Sequence, residues 1–222
     1  MTTTGTSWLS KAGALAACLA LGGVVLYASL ALDQLVWRHV HVEDALRRDW
    51  ARLFRVTGYL PTWLLAGLAL WVLDAGGGSS ESKEGAKARG WLSWPAVRRG
   101  LWVVVNAAAS GLLAEAIKIA VRRERPGEMG EVVFRAWEGA WWKTGGLGFT
   151  SSHVGVSAGA ACALICLFPR AWAVWVLLPV GCAVTRLMDR AHFLSDCVGA
   201  GLGAVIVCAG LMAVFRAVSR RA

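Results

Sequence analysis

Six apolar stretches divide this 222-residue chain and constrain its fold more than any other feature. They lie near residues 12–32, 56–73, 100–121, 154–168, 171–188 and 197–215. About 20 apolar residues cross the hydrocarbon core of a bilayer, so each stretch reads as a membrane span. The fourth reaches a workable length with its flanks, over 152–170. A chain with 57% hydrophobic residues and mean hydropathy +0.54 is too apolar for an ordinary soluble domain. The first stretch is longer than the apolar part of a signal peptide and only Lys11 precedes it, which predicts an uncleaved span. The expected architecture is all-α: an integral-membrane bundle of six transmembrane helices. Thirteen Trp against two Tyr suit interfacial belts, and Trp8, Trp50, Trp91, Trp94, Trp141 and Trp142 sit near predicted span ends.

The rest of the composition narrows the possibilities. A net charge of +9 would suit nucleic acid only on a soluble basic face, and no such domain remains once the spans are removed. Basic residues flanking spans instead suit anionic lipid head groups. The partner expected on this ground is the bilayer, with no nucleic acid; oligomeric state is left open. Residues 75–90 are rich in Gly, Ser and charge and form a linker, extending to 97, between the second and third spans. No repeat or second domain is visible, so residues 1–222 form one membrane domain. Cys18, Cys162, Cys166, Cys182, Cys197 and Cys208 fall in or beside spans without metal-ligand spacing and read as small apolar residues. Gly155-x3-Gly159 and Gly199-x3-Gly203 each place two glycines on one helical face, where backbones can approach closely. Gly199-Ala-Gly201-Leu-Gly203 has no strand before it, so helix packing is preferred to a nucleotide loop.

Three clusters of polar residues interrupt this apolar background: Lys118-x6-Arg125-Pro126, Thr150-Ser151-Ser152-His153 and Arg186-x5-His192-x3-Asp196. Successive spans alternate direction, so the ends of spans three and five share a face with the starts of spans four and six. All three clusters therefore converge on one side of the membrane. That face carries 13 Lys and Arg against ten opposite; with Lys118, Arg125 and Arg186 set aside it is ten against ten, and the positive-inside rule does not decide sidedness.

Three cations, two histidines and a carboxylate are the parts needed to handle a phosphate. Phosphoryl transfer spreads charge over the equatorial oxygens, and catalysis is mostly placement plus fixed cations and donors. Arg125 and Arg186 offer planar forks, and Lys118 a point charge. Pro126 disfavours helical geometry at Arg125, so span three is expected to end there. Arg122 and Arg123 read as snorkelling side chains at the span end. The glycine-rich 144–149 stretch leads into Ser151 and Ser152 at a helix start, where free backbone N–H groups and the Ser151 hydroxyl suit an anion; a capping role is compatible with this. His192 with Asp196 one turn later pairs a nucleophile with a group that orients its ring. His39 and His41 read as loop residues. Glu115, inside span three, is expected to pair with Lys118 or Arg122. Asp189 and Arg190 suggest at most a local pair. The 127–149 loop, with Trp137, Trp141 and Trp142, reads either as an amphipathic segment in the interface or as a plain surface loop. Cations occupy the place a divalent ion would neutralise, so neither metal nor other cofactor is expected.

The spacing of the three clusters resembles the signature motifs of the type 2 phosphatidic acid phosphatase superfamily, the lipid phosphate phosphatases. Those motifs read K-x6-R-P, P-S-G-H and S-R-x5-H-x3-D, and the resemblance covers roughly residues 98–215. Thr150 stands for Pro, Ser152 for Gly and Thr185 for Ser. The resemblance implies a catalytic set of His192, His153 and Asp196, with Lys118, Arg125, Ser151, Ser152 and Arg186 holding the phosphate. It implies that His192 forms a phosphohistidine, while His153 protonates the leaving alkoxide and then activates water. It also implies an extracytoplasmic active site with both termini in the cytoplasm, and no metal. Substrates carried over from the superfamily include phosphatidic acid, phosphatidylglycerol phosphate, a polyprenyl diphosphate and a lipid A phosphate. Two other readings stay open: a phosphotransferase of the same architecture, and a non-catalytic membrane protein that binds a phosphorylated lipid. Vanadium-dependent haloperoxidases share similar motifs but are soluble.

Overall fold

The chain is described by a computed structural model covering residues 5–76 and 96–219, with side chains placed at 13–73 and 99–218. Helices follow the apolar stretches closely: α1 (Gly5–His39), α2 (Asp49–Val56), α3 (Leu60–Gly76), α4 (Ala96–Val121), α5 (Ser152–Leu167), α6 (Trp172–Met188) and α7 (Leu194–Ser219). Among the described residues there is no strand, only two isolated bridges, Arg123 with Phe134 and Glu124 with Leu147. Residues 77–95, most of the expected linker, lie outside the described residues, as do the side chains of Trp8, Trp91 and Trp94.

Four helices are long and apolar enough to cross a membrane: Gly13–His39, Arg99–Val121, Pro169–Met188 and Leu194–Val218. Helices α2 and α3 pass the same test as a pair bent by 71°. Length and composition therefore give four to five spans. The remaining expected span, the fourth, corresponds to α5, which has only 16 residues.

Short as it is, α5 is the centre of the bundle. It packs against α4, α6 and α7, while α1 lies on α7, α3 on α4 and α2 on α6. Nearly every side chain from Val154 to Leu164 is buried, which the composition makes possible. A Cβ on Gly155 would lie 3.0 Å from the Ser110 carbonyl oxygen, and one on Gly159 would run into Asn106 and Ser110 of α4. The expected close approach at this glycine pair is present, with α4 as partner. The second pair works differently: Gly199 faces Phe149 and Thr150 ahead of α5, and Gly203 faces Leu113 of α4. Helix α1 is almost wholly exposed over its apolar window, 6% buried, as a lipid-facing helix would be. All six cysteines are free thiols.

Two boundaries differ from expectation. Helix α4 stops at Val121, four residues before Arg125, because Arg122 takes the left-handed conformation (φ 56°) and turns the chain. Helix α1 continues to His39, which brings Asp33 into the bundle as a buried group, 3% exposed.

Candidate active site

The first cluster is laid out by the end of α4. Lys118, buried in its last turn, donates from Nζ to Glu115 Oε1 at 2.7 Å and to Ser152 Oγ at 2.9 Å. The ion pair expected for Glu115 is thus formed with Lys118, and the same ammonium ties α4 to the start of α5. Beyond Arg122 the chain is extended, so Arg125 lies in a loop strand rather than a last helical turn. The Arg125 N–H donates to the Gly146 carbonyl at 2.9 Å, and its side chain is exposed.

Arg122 and Arg123 do not snorkel; both are buried. Arg122 donates to the carbonyls of Arg135, Ala136 and Trp141 at 3.1, 2.7 and 2.8 Å, so one guanidinium satisfies three backbone acceptors of the 127–149 loop. Arg135 fixes the far side, donating to Glu124 Oε1 at 2.8 Å and to the Gly145 carbonyl at 3.0 Å. The loop is therefore irregular and tethered, and it presents Trp137, Trp141 and Trp142 to the exterior. Arg123 points the other way. It donates to Asp33 Oδ2 and to Ser195 Oγ, both at 2.7 Å, and lies over the Phe193 ring at 4.3 Å. Asp33 also accepts from the Ser195 N–H at 2.8 Å and its hydroxyl at 2.6 Å. A buried carboxylate on α1 thereby locks the end of α4 to the start of α7.

The second cluster opens α5. Ser151 is its N-cap by backbone conformation but makes no side-chain capping bond. Its N–H donates to the Asp196 carbonyl at 3.1 Å, which joins the second cluster to the third. The glycine at 148 is required sterically: a Cβ there would sit 3.0 Å from Asp196 Oδ2 and 2.9 Å from the Glu124 carbonyl oxygen. His153, in the first turn, meets Tyr59 edge-on with ring centroids 4.9 Å apart.

The third cluster closes α6 and opens α7. Arg186 is buried, with Nη1 3.7 Å from Asp189 Oδ2. Arg190 takes φ 52° and stacks over Trp37 at 4.2 Å, so Asp189 and Arg190 do not pair with each other as a unit. His41 and His39 bond only to backbone carbonyls, of Met188 and Leu35. His192 is 2% exposed, and its Nδ1 lies 3.3 Å from Asp196 Oδ2, which also accepts the Phe193 N–H at 2.9 Å. Burial lowers the His192 pKa below its ordinary 6.5, and the Asp196 carboxylate works against that shift. The imidazole is therefore neutral at pH 7, with Nε2 as its free nitrogen when Nδ1 carries the proton.

The structure brings these residues together. The charges on Arg186 and Arg125 bear on His192; those of Arg186, Arg55 and Lys118 bear on His153. Several buried polar atoms in this region make no hydrogen bond among the described residues: Thr150 Oγ1, Ser151 Oγ, His153 Nε2 and Arg186 Nε have no partner, while Arg186 Nη1 and Asp196 Oδ1 have only ion-pair contacts, 3.7 Å to Asp189 Oδ2 and 3.6 Å to Arg123 Nη1. Buried polar groups are normally paired, so a cluster of free ones marks a place built for a polar ligand.

A profile of the PAP2 superfamily matches residues 99–220, more than half of the chain. The chain belongs to the PAP2 superfamily. No curated protein and no solved structure matches it. The PAP2 match begins at Arg99 and so leaves out α1, α2 and α3. Two groups that reach the site come from that unmatched part and escaped the sequence reading. Asp33 could have been noticed, since a carboxylate beside an apolar span needs a partner. Arg55 carried no signal, lying in a loop with four other basic residues.

Proposed function

We propose that this PAP2 protein is a multi-pass membrane phosphatase that removes phosphate from a lipid phosphate through a phosphohistidine intermediate. Membership in a superfamily of phosphatases supports the reaction class. The observation that carries the reading is the set of buried polar atoms without hydrogen bonds on Ser151, Arg186 and His153, on the elements that join the His192–Asp196 pair, with the Ser151 N–H on the Asp196 carbonyl. In this reading Lys118, Arg125, Arg186, Ser151 and the backbone N–H groups at Ser152 hold the phosphoryl oxygens. His192 Nε2 attacks phosphorus, and Asp196 stabilises the cationic ring that results. His153 gives a proton to the departing oxygen and then takes one from the water that releases phosphate. Cations supply the charge stabilisation, so turnover requires no metal.

Six passes result if α2 with α3 forms one bent span and the short α5 crosses at the centre of the bundle. The lipid assignment draws on an apolar groove of about 420 Å³ between α5, α6 and α7. Its upper end is lined by Val154, Leu194 and Cys197, the near neighbours of His153, His192 and Asp196. It descends to Ile165 and Val205, about 16 Å along each helix at 1.5 Å per residue. That is half of a ~30 Å hydrocarbon core, the depth of one acyl chain. The test is phosphate release from a panel of lipid phosphates by purified protein in detergent. The expected result is release with water as sole acceptor, undiminished by EDTA and inhibited by orthovanadate. Release only when an acceptor lipid is added would point to a phosphotransferase, and loss in EDTA would bring a metal into the mechanism.

A further inference from the structure

Asp33 lies on α1, ahead of the PAP2 match, and belongs to none of the three clusters. Its helix is otherwise almost wholly exposed, yet this carboxylate is buried. Both of its oxygens are engaged. Oδ2 accepts from Arg123 Nη2 at 2.7 Å and from the Ser195 hydroxyl at 2.6 Å, and Oδ1 accepts from the Ser195 N–H at 2.8 Å. Holding helices together is a weak reason for such a pair. Desolvating two charges is costly, and apolar residues of similar volume often stabilise as well in their place.

The pair has a further neighbour in Asp196, one residue beyond Ser195. Arg123 Nη1 donates to Ser195 Oγ at 2.7 Å and lies 3.6 Å from Asp196 Oδ1. The two oxygens of Asp196 face different partners. Oδ2 accepts the Phe193 N–H at 2.9 Å and lies 3.3 Å from His192 Nδ1. Oδ1 is buried without a hydrogen bond among the described residues, and Arg123 is the cation beside it. With the guanidinium next to Oδ1, Oδ2 stays on the imidazole. The short bonds of Arg123 go to Asp33 and Ser195, and the Phe193 ring lies 4.3 Å from its guanidinium carbon. Asp33 thus neutralises Arg123, and the charge of Asp196 is left to face His192.

We propose that Asp33 and Arg123 are positioning residues for the nucleophile: together they keep Asp196 on His192 Nδ1, so that the proton stays there and Nε2 is left bare to react. This rests on the phosphatase reading above, in which His192 attacks phosphorus. As the Nε2–P bond forms and the P–O bond breaks with its electron pair on the leaving oxygen, the ring keeps its Nδ1 proton and becomes cationic. Asp196 facing Nδ1 stabilises that charge, whereas a carboxylate drawn toward an unneutralised Arg123 does not. Neither Asp33 nor Arg123 is assigned to the phosphate, so their effect falls on the chemical step and not on binding.

The test combines kinetics on phosphatidic acid with ¹⁵N NMR of the histidine-labelled full chain in detergent at neutral pH. His192 is identified among the four histidines by its absence in His192→Ala. Wild type should show this ring protonated on Nδ1 alone. Asp33→Asn, which frees Arg123 to turn onto Asp196, should lower kcat by about 10- to 100-fold with KM nearly unchanged, and should give a mixture of ring tautomers. Asp33→Glu keeps the charge and should recover part of kcat. Asp33→Asn/Arg123→Gln removes both charges, so it should regain the thermal stability lost in Asp33→Asn while kcat stays low and the tautomers stay mixed. Recovery of kcat together with stability, a raised KM in place of a lowered kcat, or one unchanged tautomer throughout would overturn the assignment. The tautomer needs no turnover. It therefore tests the arrangement even where wild-type protein releases no phosphate from any lipid phosphate of the panel, a result that would refute the phosphatase reading itself.

Discussion

Single side chains decide how much of the site a sequence can display. Lys118, Arg125, Arg186, His153, His192 and Asp196 stand out because ionisable groups beside apolar spans are expensive and need a reason. Arg122 and Arg123 were misjudged because charge at a span end looks alike whether it snorkels or turns inward. What separates the cases is Asp33, ninety residues before Arg123 and invisible to any local pattern. Removing one member of a buried pair leaves the other charge uncompensated, so Arg123→Ala should destabilise the protein by about 3–5 kcal/mol. Thermal unfolding in detergent checks this, and an exposed control such as Arg47→Ala, whose Asp44 pair is largely solvated, should shift little. His192 adds a pH signature. Its lowered pKa means that neutral imidazole is favoured in the fold. The associated stability is present above the ordinary 6.5 and is lost as pH falls through the lower folded value. The nucleophile follows the same titration, so the acid limb of kcat/KM should lie below pH 6.5. A limb centred above that value would place another group in the nucleophile's role.

At the scale of helices, hydropathy located every long helix but not α2, because a 16- to 26-residue apolar run leaves little freedom of assignment. It could not show that α2 and α3 meet at a bend of 71°, since amphipathic Asp49–Val56 reads as loop by composition. Nor could it show that α6 and α7, both packed on α5, scarcely touch each other and so leave a groove. That groove yields its own prediction. Gly201 lines it, and a Cβ there meets nothing within 4 Å. Gly201→Leu should therefore fold normally yet fill the space, lowering turnover of long-chain lipid phosphates while sparing a short-chain, water-soluble phosphate ester. Gly210 is equally open but nine residues on, which places it on the opposite helical face at 3.6 residues per turn. Gly210→Leu is thus the control and should not discriminate by chain length. Equal effects of the two substitutions would mean that the groove is ordinary lipid-facing surface.

For the molecule as a whole, alternation of spans was enough to foresee that three clusters distant in sequence would share one face. Their contact is finer than that argument could reach: Lys118 meets Ser152 at 2.9 Å, and the Ser151 N–H meets the Asp196 carbonyl at 3.1 Å. Such contacts depend on where α4 stops and on the tethered 127–149 loop, both set by Arg122. The central claim is that this convergence makes His192 a nucleophile. It is tested most directly by rapid quenching of the purified protein during turnover of a lipid phosphate labelled in its terminal phosphoryl group, followed by location of the label. The account predicts acid-labile phosphate on the peptide that carries His192, and neither label nor turnover in His192→Ala. Label on any other residue, or sustained turnover by His192→Ala, would contradict it.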